Sequence, residues 1–207
     1  MTTRLHVYDK RVMPKNKKTG ESLFGKQPGL FQVNGEALTG PVIITHAQES
    51  LHSIATNIVH IGRKFNGLTW LTISTHGFAG EVQLGKESLT EATVKRFGED
   101  IKPAFATSKT CVIELMACSV AHSIYDYDNK KWIANGNRLC FALANATGAH
   151  VRASDVTQLE NTGKPDDSKI VISDDGNWEG EVFEYHPGEK VRVSLGRDLK
   201  RSHRDGY

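Results

Sequence analysis

Leu68-Thr-Trp-Leu-Thr-Ile-Ser-Thr-His-Gly77 and Thr110-Cys-Val-Ile-Glu-Leu-Met-Ala-Cys118 are the stretches that decide the fold. Each is a short apolar and β-branched run of strand length, closed by a turn signal. Each ends on a residue with chemistry, a histidine in the first and a cysteine in the second. Between them, Leu89 to Phe105 reads as a helix interrupted by Gly98 and Pro103.

The pattern repeats outward from this pair. Pro41-Val-Ile-Ile-Thr45 reads as a buried strand. Gln48 to Phe65 reads as an amphipathic helix, with Leu51, Ile54, Ala55, Ile58 and Ile61 or Gly62 on one face. Val82-Gln-Leu84, bounded by glycines, suits a short hairpin arm. Asn137 to Ala146 is helical in spacing, with Leu139, Ala142, Leu143 and Ala146 on one face and Gly148 as its C-terminal stop. His150-Val-Arg-Ala-Ser154 is a fourth strand. Strands separated by helices pair in parallel through right-handed crossovers. The expectation is an α/β fold with a mainly parallel central sheet and helices on both faces.

The flanks are less regular. Residues 1–40 read as an N-terminal extension with short strands at Arg4 to Tyr8 and Gly29 to Val33, outside the main domain. The domain spans 41–195, and its last part, Lys169 to Ser194, is β-rich and suits extension or capping of the sheet. Residues 196–207 form a basic C-terminal tail.

The 207 residues are 38% hydrophobic and 24% charged, which suits one domain with a real core. The net charge of +2 comes from scattered Lys and Arg, so a nucleic-acid partner is not expected. Three cysteines, Cys111, Cys118 and Cys140, do not make a disulfide framework. A reducing cytoplasm is the default compartment. The first ten residues carry no apolar run of signal-peptide length, and no stretch suits a membrane span. Export without a cleaved N-terminal signal is the alternative.

In an open parallel sheet, functional residues gather beyond the carboxyl ends of the strands. His76 and Cys118 follow successive strands, so they belong to one rim. A thiol and an imidazole so placed can perform acyl transfer. The imidazole takes the thiol proton, and the thiolate attacks a carbonyl. Gly77, without a side chain, lets a substrate approach, and its N–H together with that of Cys118 can serve as an oxyanion hole.

These residues carry a family resemblance. Leu71-Thr-Ile-Ser-Thr-His76-Gly77 and Val112-Ile-Glu-Leu-Met-Ala-Cys118 resemble the two signature blocks of caspase-like (clan CD) cysteine peptidases. That group includes caspases, gingipains, clostripain, legumain and separase. The chain is most similar to bacterial caspase-like domains of large surface and haemolysin-type proteins. The similar segments are Ser74-Thr-His-Gly-Phe-Ala-Gly-Glu-Val-Gln-Leu-Gly85, Cys118-Ser-Val-Ala121, Thr147-Gly-Ala-His-Val-Arg-Ala-Ser-Asp155 and Gly176-Asn-Trp-Glu179. The resemblance covers about residues 40–185. It implies a three-layer α/β/α sandwich, with His76 as general base and Cys118 as nucleophile of an endopeptidase. Metacaspases have an acid two residues before the cysteine, where this chain has Met116. Caspases have Gln-Ala-Cys-Arg-Gly, where this chain has Met116-Ala-Cys-Ser-Val120. Neither specificity transfers.

Asp155, past the fourth strand, could pair with a basic substrate side chain next to the cleaved bond. It could equally cap a turn of its own backbone. Glu49, with Gln48, is a weaker substrate-binding candidate that could instead begin the first helix. The polar segment His122 to Asn135 reads as a surface loop, in which Lys130-Lys131 would be a site of self-processing if basic residues are preferred. The expected partners are a protein or peptide substrate and an activating protein.

Two other function classes compete. One is a catalytically idle interaction module on the same fold. The other is a metal-dependent hydrolase using His46, His76, His122 and His150, all near strand ends, although no metal-ligand spacing such as His-x-x-x-His is present. The thiol chemistry needs no cofactor. Calcium as a regulator would bind acidic loops such as Asp126 to Asp128 or Asp166-Asp167. Cys111, Cys140, Trp70, Trp132 and Trp178 read as packing residues. Glu114 is a charge inside an apolar strand, with no role assigned.

Overall fold

The computed structural model describes residues 3–12, 32–33, 36–37, 40–156, 178 and 180–197. In chain order the strands are β1 (Arg4–Asp9), β2 (Gln32–Val33), β3 (Glu36–Ala37), β4 (Val42–Thr45), β5 (Trp70–Ser74), β6 (Gly77–Phe78) and β7 (Glu81–Val82). They continue as β8 (Val112–Met116), β9 (Ser123–Asp126), β10 (Lys131–Asn135), β11 (His150–Ser154), β12 (Glu181–Tyr185) and β13 (Val193–Arg197). The helices are α1 (Leu51–Lys64), α2 (Val94–Ile101) and α3 (Gly136–Thr147).

One seven-stranded sheet has the order β13-β12-β11-β8-β5-β1-β4. The strands from β4 to β11 are parallel. β12 and β13 close one edge as antiparallel strands, so the expected extension of the sheet by the β-rich C-terminal part is seen. The pairs β2–β3, β6–β7 and β9–β10 form separate hairpins.

The local sequence explains the helix ends. α1 begins at Ser50, whose hydroxyl accepts the Ser53 N–H at 3.1 Å. α3 begins at Asn135, whose side chain accepts the Arg138 N–H at 3.0 Å. It stops at Gly148, where φ is +78° and the N–H returns to the Ala144 carbonyl. That stop is the one the sequence predicts. α2 is shorter than the 89–105 reading, and Lys102–Ala104, with Pro103, continue it as a 3₁₀ turn.

Alternation along each strand separates two faces. Leu5, Val7, Leu71, Ile73, Ile113, Leu115, Val151 and Ala153 join the buried residues of all three helices in a single apolar core. Each fully buried Leu or Ile contributes roughly 1.5–3 kcal/mol relative to exposure. Among the described residues all three α-helices therefore lie on one face. The sequence expectation put helices on both. The strand order gives the reason: the crossovers β4 to β5, β5 to β8 and β8 to β11 all advance the same way across the sheet. Crossovers of one hand that step in one direction fall on one face.

The second face is also buried, and a polar row crosses it. His6, Thr72, Glu114, Arg152 and Glu184 are register partners on five neighbouring strands and form one row across it. Thr72 donates to Glu114 at 3.1 Å, and Arg152 donates to Glu184 at 2.6 Å. Burial alone would raise the Glu184 carboxyl. Hydrogen bonds from Arg152 and His186 outweigh it and hold the group below its ordinary value. Glu114, the charge inside an apolar strand, thus belongs to a buried polar row. Arg4 and Arg152 also lie 4.8 and 5.2 Å from the centroid of Trp70.

Two readings of the flanks change. Arg4–Asp9 is an inner strand between β4 and β5, with every residue buried, and not part of an appendage outside the domain. His122 to Asn135 is not an irregular loop, since most of it is the β9–β10 hairpin.

Candidate functional site

The site begins where β5 and β8 run out. Ser74 and Met116 are the last register partners of these neighbouring parallel strands. The Thr75 N–H continues the pairing to the Met116 carbonyl at 3.1 Å. His76 and Cys118 each stand two residues past that pair, on strands that neighbour at about 4.8 Å. Both line one open cleft of about 790 Å³. Gly77 and Phe78 line it too, with Ser119, His122, and Ile124 and Ala134 of the β9–β10 hairpin.

His76 has an exposed side chain on a constrained backbone. Its carbonyl accepts the Gln83 N–H at 2.9 Å, and the Thr75 hydroxyl donates to the Gln83 carbonyl. The next two residues pair with Glu81 and Val82 as β6 and β7. Behind this loop, Arg11 donates from Nη2 to the carbonyls of Gln83 and Gly85 at 2.9 and 3.0 Å. The same guanidinium grips the buried Asp9 carboxylate with two bonds of 2.8 and 2.6 Å. Hydrogen bonding to Asp9 holds the Arg11 pKa above its ordinary value. The end of β1 therefore braces the histidine loop, a role the sequence reading of residues 1–40 did not contain.

Cys118 is half-buried and opens a tight loop. Ser119 sits at φ +54°, an uncommon conformation for a residue with a side chain. Its N–H donates to the Val156 carbonyl at 2.8 Å, and the Ala121 N–H donates to the Ser154 carbonyl at 3.0 Å. The Val120 carbonyl accepts from Gly80 at 3.2 Å. The cysteine loop is thus tied both to the end of β11 and to the histidine loop. Gly77 is required by packing: a Cβ there would come 2.8 Å from Ala117 Cβ and 3.0 Å from the Cys118 carbonyl oxygen.

The other thiols differ. Cys140 is fully buried, and burial pushes its thiol far up. Burial also raises Cys111, whose sulfur donates to the Leu68 and Ala106 carbonyls at 3.3 Å. None of the three cysteines is joined in a disulfide.

The remaining candidates are more scattered. Asp155 follows β11 on the same rim, with its N–H 3.4 Å from the Glu181 carbonyl, but it does not line the cleft. Glu49 does not line it either. Its carboxylate accepts the His46 N–H at 2.7 Å in the turn before α1, which is the structural use of that residue. Of the histidines weighed as metal ligands, His76 and His122 line the cleft, while His150 is the first residue of β11, at the opposite end of the sheet. Lys130 and Lys131 are exposed at the tip of the β9–β10 hairpin, with Lys130 at φ +50°. Asp126 accepts from the N–H groups of Asp128 and Asn129 and from the Asn129 side chain, so the turn itself occupies its oxygens. Asp166, Asp167 and the 176–179 segment, except Trp178, lie outside the described residues. Trp178 packs with Met116 and Val182.

Residues 33–184 match the family model described as "Domain of unknown function (DUF4347)", and the chain belongs to that family. No curated protein matches it.

Proposed function

We propose that this DUF4347 member is a caspase-like cysteine endopeptidase with Cys118 as nucleophile and His76 as general base. The observation that carries this reading is the position of both side chains in one cleft, two residues past the same register pair of adjacent parallel strands. His76 takes the proton from Sγ, and the sulfur attacks the carbonyl carbon of the scissile bond. The C–N bond breaks as the imidazolium gives its proton to the leaving amine. Water then hydrolyses the thioester and restores the thiol. The N–H groups of Gly77 and Cys118 are the proposed oxyanion donors.

The finer parts of the reading rest on the same site. A three-layer α/β/α sandwich requires a second helical layer on the polar face of the sheet. Asp155 at the rim is proposed to select a basic substrate residue, which would make Lys130-Lys131, exposed on a hairpin flanking the cleft, a place of self-processing. The exposed side chains of Phe78 and Ile124 at the cleft offer apolar contact to a protein or peptide substrate or an activating partner. The chemistry needs Cys118 reduced, as in the cytoplasm or after export without a cleaved signal. Among the described residues no helix is long and apolar enough to cross a membrane.

The test is peptide cleavage by the full chain under two inhibitors. Activity that dies with iodoacetamide and survives a chelator supports the thiol mechanism. Activity that survives iodoacetamide and dies with the chelator would falsify it.

A further inference from the structure

Glu184 lies on the polar face of the sheet, near the end opposite the cysteine rim. The antiparallel register that pairs Val151 with Tyr185 sets His150, the first residue of β11, opposite His186, which follows β12. Their rings stack with centroids 4.1 Å apart. His150 Nδ1 and His186 Nε2 lie 3.3 and 2.8 Å from one oxygen, Glu184 Oε1. Arg152 holds the other oxygen, Oε2, at 2.6 Å.

We infer that His150, Glu184 and His186 form a binding site for a divalent transition-metal ion of the zinc class, separate from the cleft. Two imidazoles and a carboxylate are a ligand set that such ions take, with a fourth position left to water. The spacing fits. One nitrogen of each ring and the carboxylate oxygen all lie within 4.8 Å of one another. Zinc–ligand bonds of about 2.0–2.1 Å in tetrahedral geometry put neighbouring ligand atoms roughly 3.3 Å apart. Both lone pairs reach one ion when the imidazoles, stacked here with planes 21° apart, rotate out of that stack.

The surroundings fit as well. Arg152 occupies Oε2, which fixes the carboxylate and leaves Oε1 turned to the imidazoles, the usual task of a group just outside a metal's ligands. Glu114 is the register partner of Arg152 on β8. The His150 and His186 side chains are 28% and 33% exposed, so an ion can reach them, while Glu184 is 10% exposed. Both strands are inner members of the sheet, so the scaffold is rigid. His150 is in register with Val112, six residues before Cys118, which separates the two sites by about 20 Å of strand.

The experiment is titration of the full chain with Zn²⁺ against a chromophoric chelator, repeated with Co²⁺ for its absorption spectrum. The Cys118→Ser background removes the one thiol that lines the cleft. The expected result is one ion per chain in both wild type and Cys118→Ser, with no thiolate charge-transfer band for Co²⁺. His150→Gln and His186→Gln should each weaken binding by more than the roughly 10- to 100-fold typical of losing an outer partner. Because Arg152 still pairs the Glu184 carboxylate, the metal-free circular dichroism of each variant should match wild type, which separates ligand loss from misfolding. No stoichiometric binding, or binding that survives both histidine substitutions, would overturn the proposal. Binding lost only with Cys118 or His76 would do so too. The readout is metal and not cleavage, so it is independent of the peptidase reading.

Discussion

His76 and Cys118 are the second residues beyond Ser74 and Met116, which face each other in the last rung between β5 and β8. Parallel strands send both chains out of the sheet on the same side, so this one register brings an imidazole and a thiol to the same cleft. The loops that carry them are then fastened to each other by the Gly80 to Val120 bond.

Thiol reactivity should divide the cysteines. Burial raises the pKa of Cys111 and, far more, of Cys140, so at neutral pH both hold less thiolate than an ordinary cysteine. Cys118 borders the cleft. Brief iodoacetamide treatment of the native chain, read by peptide mass mapping, should modify Cys118 alone, and denaturant should expose all three. Modification of Cys140 at the same native rate would contradict the packing described.

Gly77→Ala should damage both stability and turnover. The added Cβ meets Ala117 at 2.8 Å and Val120 Cγ2 at 3.0 Å, and overpacking of that kind costs about 1–3 kcal/mol. Urea denaturation should show the loss as a lower midpoint with an unchanged slope. A neutral effect on both stability and cleavage would remove Gly77 from the site.

Arg11→Ala should loosen the histidine loop from behind. It deletes the bonds to Gln83 and Gly85 and leaves the buried Asp9 carboxylate without its guanidinium. Breaking a buried pair costs about 3–5 kcal/mol, and partial exposure of Arg11 reduces this to about 2–3 kcal/mol. Hydrogen exchange at the 83–86 amides should accelerate more than at β8. Equal change everywhere would mean that Arg11 only stabilises the whole fold.

The β9–β10 tip should respond to acid. Hydrogen bonds from the Asn129 side chain, then its backbone, hold the Asp126 carboxyl below its ordinary value. A lowered folded pKa contributes order above the unfolded pKa and loses it as pH falls through the folded value. NMR of the Asn129 side-chain amide should therefore report release only in that acidic window. At neutral pH, Asp126→Ala should speed tryptic cutting at Lys130 and Lys131, and an unchanged rate would show that the turn does not depend on this carboxylate.

Much of the fold is legible because burial on one face leaves an apolar signature. Thr110 to Ala117 and Leu68 to Ser74 read as strands, and Gly148 ends its helix where the sequence places the stop. β1 is not legible as an inner strand, because Arg4, His6 and Asp9 read as surface residues, and only the fold sets Arg4 on Trp70, His6 in the polar row and Asp9 against Arg11. The β9–β10 hairpin is similarly obscured, since both of its strands are half-exposed and polar. Placement of the helices depends on strand order, which no local pattern encodes. His76 and Cys118 stand out because each closes an apolar run. The His150, Glu184 and His186 cluster does not, since its members come from strands 34 residues apart in the chain and meet only through antiparallel register.

The most direct test counts new peptide termini in a denatured proteome incubated with wild type, Cys118→Ala or His76→Ala. The expected result is a consistent set of cuts by wild type, none by Cys118→Ala, and cutting slowed by about 10²- to 10⁴-fold in His76→Ala. Identical termini from wild type and Cys118→Ala would contradict a thiol peptidase, and a folded wild type that cuts nothing would leave the cleft as a binding surface.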